Sequence, residues 1–275
     1  MTATVRRVAT WTVAHDPWTS GLDVAAYSRM KHGSVADLRD FGTAVGQDLV
    51  AQVPALVEDP ADVVFPVAYL AVRPACWFLA RHALDVVDHE RSRRGRPPGR
   101  IVHVHKDAVT ARDYATADAA DRAAELASIG FTLRERLDGA QVVVVDDVRV
   151  TGSAERTIFA ALAAAGDRPR REVAAYVAVM DGAAAHDPSI ESRLNLAAAA
   201  SLDDLAELAR TGEMHLTIRM LKRVLGADEG ERRRFLAECT PDLVEEMRAG
   251  ALATGPAFVE SYRNGVADLE PVPAT

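Results

Sequence analysis

Between Pro60 and Tyr69 the chain runs through Ala61 to Ala68 as a short apolar stretch rich in valine. Such a run reads as a buried strand, because β-branched side chains pack well on a pleated surface. The following stretch, LAVRPACWFLARHALDVV, repeats apolar residues at helical spacing behind Pro74. Proline suits a helix's first turn, where its missing N–H would have no partner. Arg91 to Arg100, rich in arginine, glycine and proline, is expected to be a loop, and IVHVH after it alternates as a strand does. Ala117 to Ser128 is expected to be a helix stopped at Gly130, Gln141 to Val145 a compact strand, Ala154 to Ala165 a helix closed by Gly166, and Glu172 to Met180 a further strand. Strands alternating with helices predict an α/β fold built on a doubly wound parallel sheet. Ligands in that architecture sit beyond the carboxyl ends of the strands.

From about Ser189 the strand signals stop. SLDDLAELAR, MHLTIRMLKRVL, ERRRFLAE and PDLVEEMRAGAL all carry helical periodicity with polar faces, with Ser201 expected as an N-cap and Pro241 opening a helix. The expected division is an α/β core over residues 20 to 185 and a helical C-terminal cap over 186 to 275. The cap is expected to pack on the sheet or form a partner surface, and a homodimer is the assembly to test.

The balance of 49% hydrophobic and 26% charged residues is that of a globular protein. No apolar run approaches the ~18 residues of a spanning helix, and MTATVRRVATWTV alternates where a secretory signal would be continuously apolar. A cytoplasmic protein without membrane partners is expected. The net charge of −8 argues against nonspecific nucleic-acid binding, which rewards a basic surface. Cys76 and Cys239 match neither a disulfide framework nor a zinc spacing and read as packing residues. His103 and His105 alternate on a strand, but no third ligand stands at a recognisable spacing, so no protein metal site is expected.

The stretch most informative about chemistry is VVVVDDVRVTGSAERTIFAAL, Val142 to Leu162. Four valines build a strand buried on both faces, and that strand ends on Asp146 and Asp147. Adjacent carboxylates can accept hydrogen bonds from neighbouring sugar hydroxyls, and charged acceptors make the stronger bonds of this kind. Thr151, Gly152 and Ser153 then open a helix, where unpaired backbone N–H groups and the helix dipole favour a phosphate. A diol reader and a phosphate cradle therefore stand within one turn of chain.

This stretch resembles the signature of the type I phosphoribosyltransferases, without a gap from Val142 through Ala154. The resemblance implies that Asp146 and Asp147 hold the ribose hydroxyls of 5-phosphoribosyl 1-diphosphate. It also implies that the backbone of Val150, Thr151, Gly152, Ser153 and Ala154, with the hydroxyls of Thr151 and Ser153, holds the 5-phosphate. Three further blocks, YSRMKHG (Tyr27 to Gly33), DPSIESRLN (Asp187 to Asn195) and RMLKRVL (Arg219 to Leu225), are similar to those of a bacterial phosphoribosyltransferase-like family, several members of which are encoded beside tellurium-resistance and stress genes. Where such relatives often carry a His-Glu pair after the Thr-Gly turn, this chain has Ala154-Glu155.

By the same resemblance, Ala68, Tyr69, Leu70, Ala71 and Arg73 occupy the loop that binds pyrophosphate. A mobile loop over His103 to Tyr114 would carry Lys106 and Arg112 to the leaving group. Mg2+ would be held mainly by the donor's own phosphates and hydroxyls. In YSRMKHG, Arg29 and Lys31 lie two apart before a glycine and are candidates to read an anionic acceptor or phosphate. The expected reaction transfers the phosphoribosyl group to a small acceptor with release of pyrophosphate, in specialised metabolism more than routine base salvage. The alternatives are a noncatalytic sensor that keeps the donor site and, less favoured, an enzyme cleaving a ribose phosphate without an organic acceptor.

Overall fold

The computed structural model describes residues 5–14, 16–107, 130–150, 152–182, 185, 187 and 189–269, with the side chains of Ser153 and Ala154 outside that description. The expected helix over Ala117 to Ser128 lies outside the described residues, as does the mobile-loop segment beyond Asp107. The elements in chain order are β1 (Arg6–Val13), α1 (Val24–Lys31), α2 (Val35–Gln52), α3 (Ala55–Glu58), β2 (Val63–Tyr69), α4 (Ala75–Arg93), β3 (Arg100–Lys106), β4 (Phe131–Leu133), β5 (Gln141–Arg149), α5 (Ser153–Ala164) and β6 (Arg171–Met180). Helices follow: α6 (Ser189–Leu196), α7 (Ala206–Thr211), α8 (Ile218–Gly226), α9 (Glu229–Glu238), α10 (Pro241–Thr254), α11 (Pro256–Ser261) and α12 (Arg263–Ala267).

Six described strands form one sheet in the order β1-β6-β5-β2-β3-β4. All neighbours are parallel except β3 and β4. Alternation along β5 sends Val143 and Val145 into a core shared with Tyr27, Met30, Leu38 and Leu79, while Val142 and Val144 face Phe159 and Leu162 of α5. Helices thus cover both faces, as the valine run requires of a strand with no polar side.

Strand order reverses between β2 and β5, and their pairing is confined to Val63–Gln141 and Val64–Val142. Beyond that point the two strands diverge, whereas β2 stays paired with β3 as far as Tyr69–His105. The carboxyl ends of β2 and β5, where their pairing has ended, are where this architecture places its ligand crevice.

Several expectations change. Strand β5 runs to Arg149, so Asp146 and Asp147 lie within its last turns rather than just past its end. Helix α4 continues to Arg93, because Arg91 is fully buried and donates to the carbonyls of Pro97, Leu56, Asp59 and Ala61 instead of solvating a loop. IVHVH is a strand as expected, and β3 runs on to Lys106, so His103 to Lys106 do not belong to the expected mobile loop. Ser201 is no N-cap: its N–H and hydroxyl both donate to the Asp204 carboxylate. The alternating N-terminal segment, ahead of the expected core of residues 20 to 185, is edge strand β1 beside β6.

The C-terminal helices have their own core, with Leu205, Met220, Leu221, Phe235 and Met247 among its members. Val72, from the loop after β2, joins that core. The two parts also meet at Gly33, whose carbonyl accepts from His215 N–H at 2.8 Å. Gly33 has φ +104°, and a Cβ there would stand 2.0 Å from the His215 carbonyl oxygen, so only glycine allows this approach. Phe78 stacks on His215 with ring centroids 4.5 Å apart.

Candidate functional site

The carboxylate pair of β5 is surrounded by groups from α1, β3 and α4. Asp147, on the side of Val143 and Val145, is buried and forms an ion pair with Lys31 at the end of α1. The exposed fractions of these two side chains are 9% for Lys31 and 11% for Asp147, so little water screens the pair. The other Asp147 oxygen accepts from the Val148 N–H at 2.6 Å, and Asp146 accepts from the Asp147 N–H at 3.0 Å. Burial, then the charge of Asp147, pushes the Asp146 carboxyl up to about 7, against the opposing charge of Lys31. The two carboxylates are thus unequal: Lys31 compensates the charge of Asp147, while burial and that charge disfavour ionisation of Asp146.

Lys106 closes β3 near Asp146, with its ammonium 5.5 Å from the centroid of the Phe131 ring. Burial lowers its pKa, opposed by Cys76 and Asp146. Cys76, in the first turn of α4, has its thiol pushed far up by burial and then by the charges of Asp146 and Asp147. Tyr27 is fully buried, and its hydroxyl has no hydrogen-bond partner among the described residues. Burial raises its pKa, followed by the charges of Asp147 and Glu191, with Arg219 opposing.

Tyr27 and Lys31 come from the first of the three sequence blocks, Glu191 from the second and Arg219 from the third. Tyr27 thus stands where charges from the second and third blocks and from the carboxylate pair all reach it. The Ser28 hydroxyl donates to the Asn195 carbonyl at 2.7 Å and accepts from the Ala198 N–H at 3.1 Å, fastening α6 to α1. Burial lowers the His32 imidazole to about 3, with Arg223, Arg219 and Lys31 adding, against a 2.8 Å contact from its Nδ1 to the Ser28 carbonyl.

Arg29 and Lys31 do not act together. Residues two apart on a helix point to different sides, and Arg29 turns away to pair with Asp37 at 2.9 Å. Ala68 and Tyr69 end β2, paired with Val104 and His105, instead of belonging to the loop after it; they are half-buried, as are Leu70 and Ala71 of that loop, and Arg73 is exposed. Tyr69 packs on His103, ring centroids 3.8 Å apart, and the Arg73 guanidinium lies 3.9 Å over the Trp77 ring. The loop is fixed by the C-terminal helices, since the Arg73 carbonyl accepts from Ile218 N–H at 3.0 Å.

After β5, Val150 is half-buried against the core and Gly152 starts α5 with φ +70° and no side-chain cap. Thr151 and Arg112 lie outside the described residues, and so do the side chains of Ser153 and Ala154. Glu155 is the anchor of this turn: it pairs with Arg7 at 2.6 Å and Arg149 at 3.3 Å and accepts from the Tyr176 hydroxyl at 2.6 Å. The Arg149 guanidinium packs so closely that a Cβ on Gly152 would stand 3.0 Å from it.

Among the described residues no group of three or more His, Cys, Asp or Glu side chains could hold a metal ion. Asp146 is a half-buried hard oxygen donor, while both oxygens of Asp147 are already engaged by Lys31 and the Val148 N–H. One such donor suits Mg2+ that arrives with its own waters and phosphate ligands, and not an ion caged by protein.

One signal for this site went unused in the sequence. The chain has 29 arginines but only three lysines, Lys31, Lys106 and Lys222, and two of the three stand beside the carboxylate pair. Tyr27, Arg149 and Glu155 stand inside the quoted motifs without an expected role, and Cys76 is expected only to pack.

A six-stranded, mostly parallel sheet whose strand order reverses at an acidic pair and a glycine-opened helix defines a protein of the type I phosphoribosyltransferase fold. The chain belongs to the PRTase ComF-like family, whose profile matches residues 6–267. Among solved structures, it is similar to a hypoxanthine phosphoribosyltransferase from Staphylococcus aureus, at 11% identity and TM-score 0.33, covering 52% of this chain and 64% of that one. A hypoxanthine phosphoribosyltransferase from Trypanosoma cruzi matches at 10% identity and TM-score 0.33, over 54% of this chain and 66% of that one. A purine phosphoribosyltransferase from Pyrococcus horikoshii matches at 15% identity and TM-score 0.29, over 61% and 78% respectively. The chain spans just under two thirds of the length of the first two. None of the curated proteins matches it.

Proposed function

We propose that the protein binds 5-phosphoribosyl 1-diphosphate in the crevice between β2 and β5 and transfers its phosphoribosyl group to a small acceptor, releasing pyrophosphate. The observation that carries this reading is the placement of Asp146 and Asp147 where β5 has parted from β2, a few residues before a helix opened by Gly152. In this reading the carboxylates accept the ribose hydroxyls, and the N–H groups opening α5 receive the 5-phosphate. The end of β2 and the loop after it, Ala68 to Arg73, and the lysine at the end of β3 receive the pyrophosphate, and Arg112 is the further candidate for this role. Positive charge grows on the sugar as pyrophosphate leaves, so stabilising the departing anion and excluding water dominate the rate. Mg2+ bound to the donor would neutralise charge on the leaving group, and Asp146 is the residue that would meet it. Membership in the family and the fold support phosphoribosyl transfer in general; the acceptor and its place in specialised metabolism belong to the proposal.

A sensor that binds the donor without turnover is the second reading. It is favoured by one feature: both site segments, α1 and the loop after β2, are held by the start of α8, so occupancy of the crevice would be felt by the C-terminal helices. The test is thermal melting with 5-phosphoribosyl 1-diphosphate and Mg2+, which should raise the midpoint because a ligand of the folded state stabilises it by mass action. Ribose 5-phosphate should do so less. A midpoint unmoved by saturating donor with Mg2+ removes both readings, and a shift without pyrophosphate release across a panel of bases and aromatic acids selects the sensor.

A further inference from the structure

The ion pair between Lys31 and Asp147 is unusual for this chain in two ways. It is buried, and it uses lysine where the chain elsewhere almost always uses arginine. A compact ammonium neutralises one carboxylate oxygen as a point charge and leaves the other free to accept, which a forked guanidinium does less well. The free oxygen of Asp147 takes the Val148 N–H, so the carboxylate is fixed from both sides.

Lys31 is also held through its own backbone. Its carbonyl accepts from the Thr217 hydroxyl, at 3.4 Å, while the same hydroxyl caps α8 by accepting from Met220 N–H at 3.1 Å. The next residue, Ile218, donates its N–H to the Arg73 carbonyl of the loop after β2. One helix start in the C-terminal region therefore fastens both the lysine that meets Asp147 and the loop on the other side of the crevice. Val72 anchors that loop further by entering the core of the C-terminal helices.

We propose that Lys31 is the positioning residue of the carboxylate pair, and that through it the seating of α8 sets how well the site reads the ribose hydroxyls. This rests on the donor-site reading of Asp146 and Asp147 and adds to it a residue that acts through Asp147. It gives the helical region a role in sugar recognition although none of its residues is assigned to touch the sugar.

The test has two arms. With only three lysines in the chain, acetylation by an amine-reactive ester followed by mass spectrometry reports each one. In the folded wild type Lys31 should label at least roughly tenfold more slowly than in the urea-unfolded chain, and Thr217→Val should narrow that gap. Lys31 labelling as fast in the folded wild type as in the unfolded chain overturns the proposal without any ligand being present. The second arm compares binding of ribose 5-phosphate with 2-deoxyribose 5-phosphate. Wild type should prefer the first, Lys31→Met should lose most of the preference, on the order of tenfold, and Lys31→Arg should recover part of it. Thr217→Val should lose part of it as well, and this variant keeps the test alive if Lys31→Met fails to fold. A purely structural role would weaken both sugar phosphates alike, so unchanged preference in Lys31→Met or Thr217→Val overturns the proposal. A wild type that binds neither sugar phosphate, with Lys31 still protected, sinks the donor-site reading and this role with it.

Discussion

Replacing Asp146 by asparagine should stabilise the protein at alkaline pH while damaging its binding site. The Asp146 carboxyl titrates at about 7 in the folded chain against an ordinary value of 3.8, because burial and the neighbouring Asp147 penalise its charged form. The folded state therefore holds a proton that the unfolded state has already released over this window, and stability falls as pH rises from about 4 to about 7. The difference is about three pKa units at 1.36 kcal/mol each, or about 4 kcal/mol as an upper figure. Residual solvation of a half-buried carboxylate reduces it, to on the order of 2 kcal/mol, or roughly 5 °C in melting temperature for a chain of this size. Asparagine has no proton to lose and can keep the bond from the Asp147 N–H. The gap between variant and wild type in thermal melts should thus be small near pH 5 and widen by pH 8, while ribose 5-phosphate binding falls roughly tenfold. A gap that is constant with pH, or that favours the wild type at pH 8, refutes the assignment of a strained carboxylate.

Asp147→Asn should do the opposite to stability, since it strands the buried Lys31 ammonium, a loss of about 3 kcal/mol that lowers the melting temperature at pH 7. Equal stability of Asp147→Asn and wild type would show that the ion pair contributes nothing to the fold. Cys76 should resist alkylation at pH 8 because burial and the two aspartates disfavour its thiolate, and Cys239, pushed up to about 12 mainly by burial, should resist as well. Asp146→Asn should speed labelling of Cys76 and leave Cys239 unchanged; mass spectrometry of the alkylated chain reads both.

The acidic pair and the glycine-opened helix were legible in the sequence because both depend on local order: a valine strand, two carboxylates, then a turn. The alternation of strands and helices gave the sheet for the same reason. What was hidden depends on distant pairing. Arg7 and Glu155 are neighbours only because β1 lies beside β6, and nothing near Arg7 announces it. Arg91 looked like a loop charge because its solvation by four carbonyls is set by α3 and the turn before β3. Arg29 and Lys31 looked like one cationic pair, and only the helix between them sends the first to Asp37 and the second into the crevice.

The edge of the sheet bears on how the chain comes to be folded. Val8 in β1 lies opposite Ala175 in β6, so the first strand of this sequence finds its neighbour only after the last strand has been made. During synthesis, β1 must wait as an unpaired extended segment while β5 and the strands before it assemble, and β6 in turn offers an open edge until β1 arrives. Contacts this far apart in sequence form slowly, and open edges invite pairing with other chains. The Arg7–Glu155 pair joins the same strand to α5, which makes the arrival of β1 the event that both covers the β6 edge and fixes the first turn of α5.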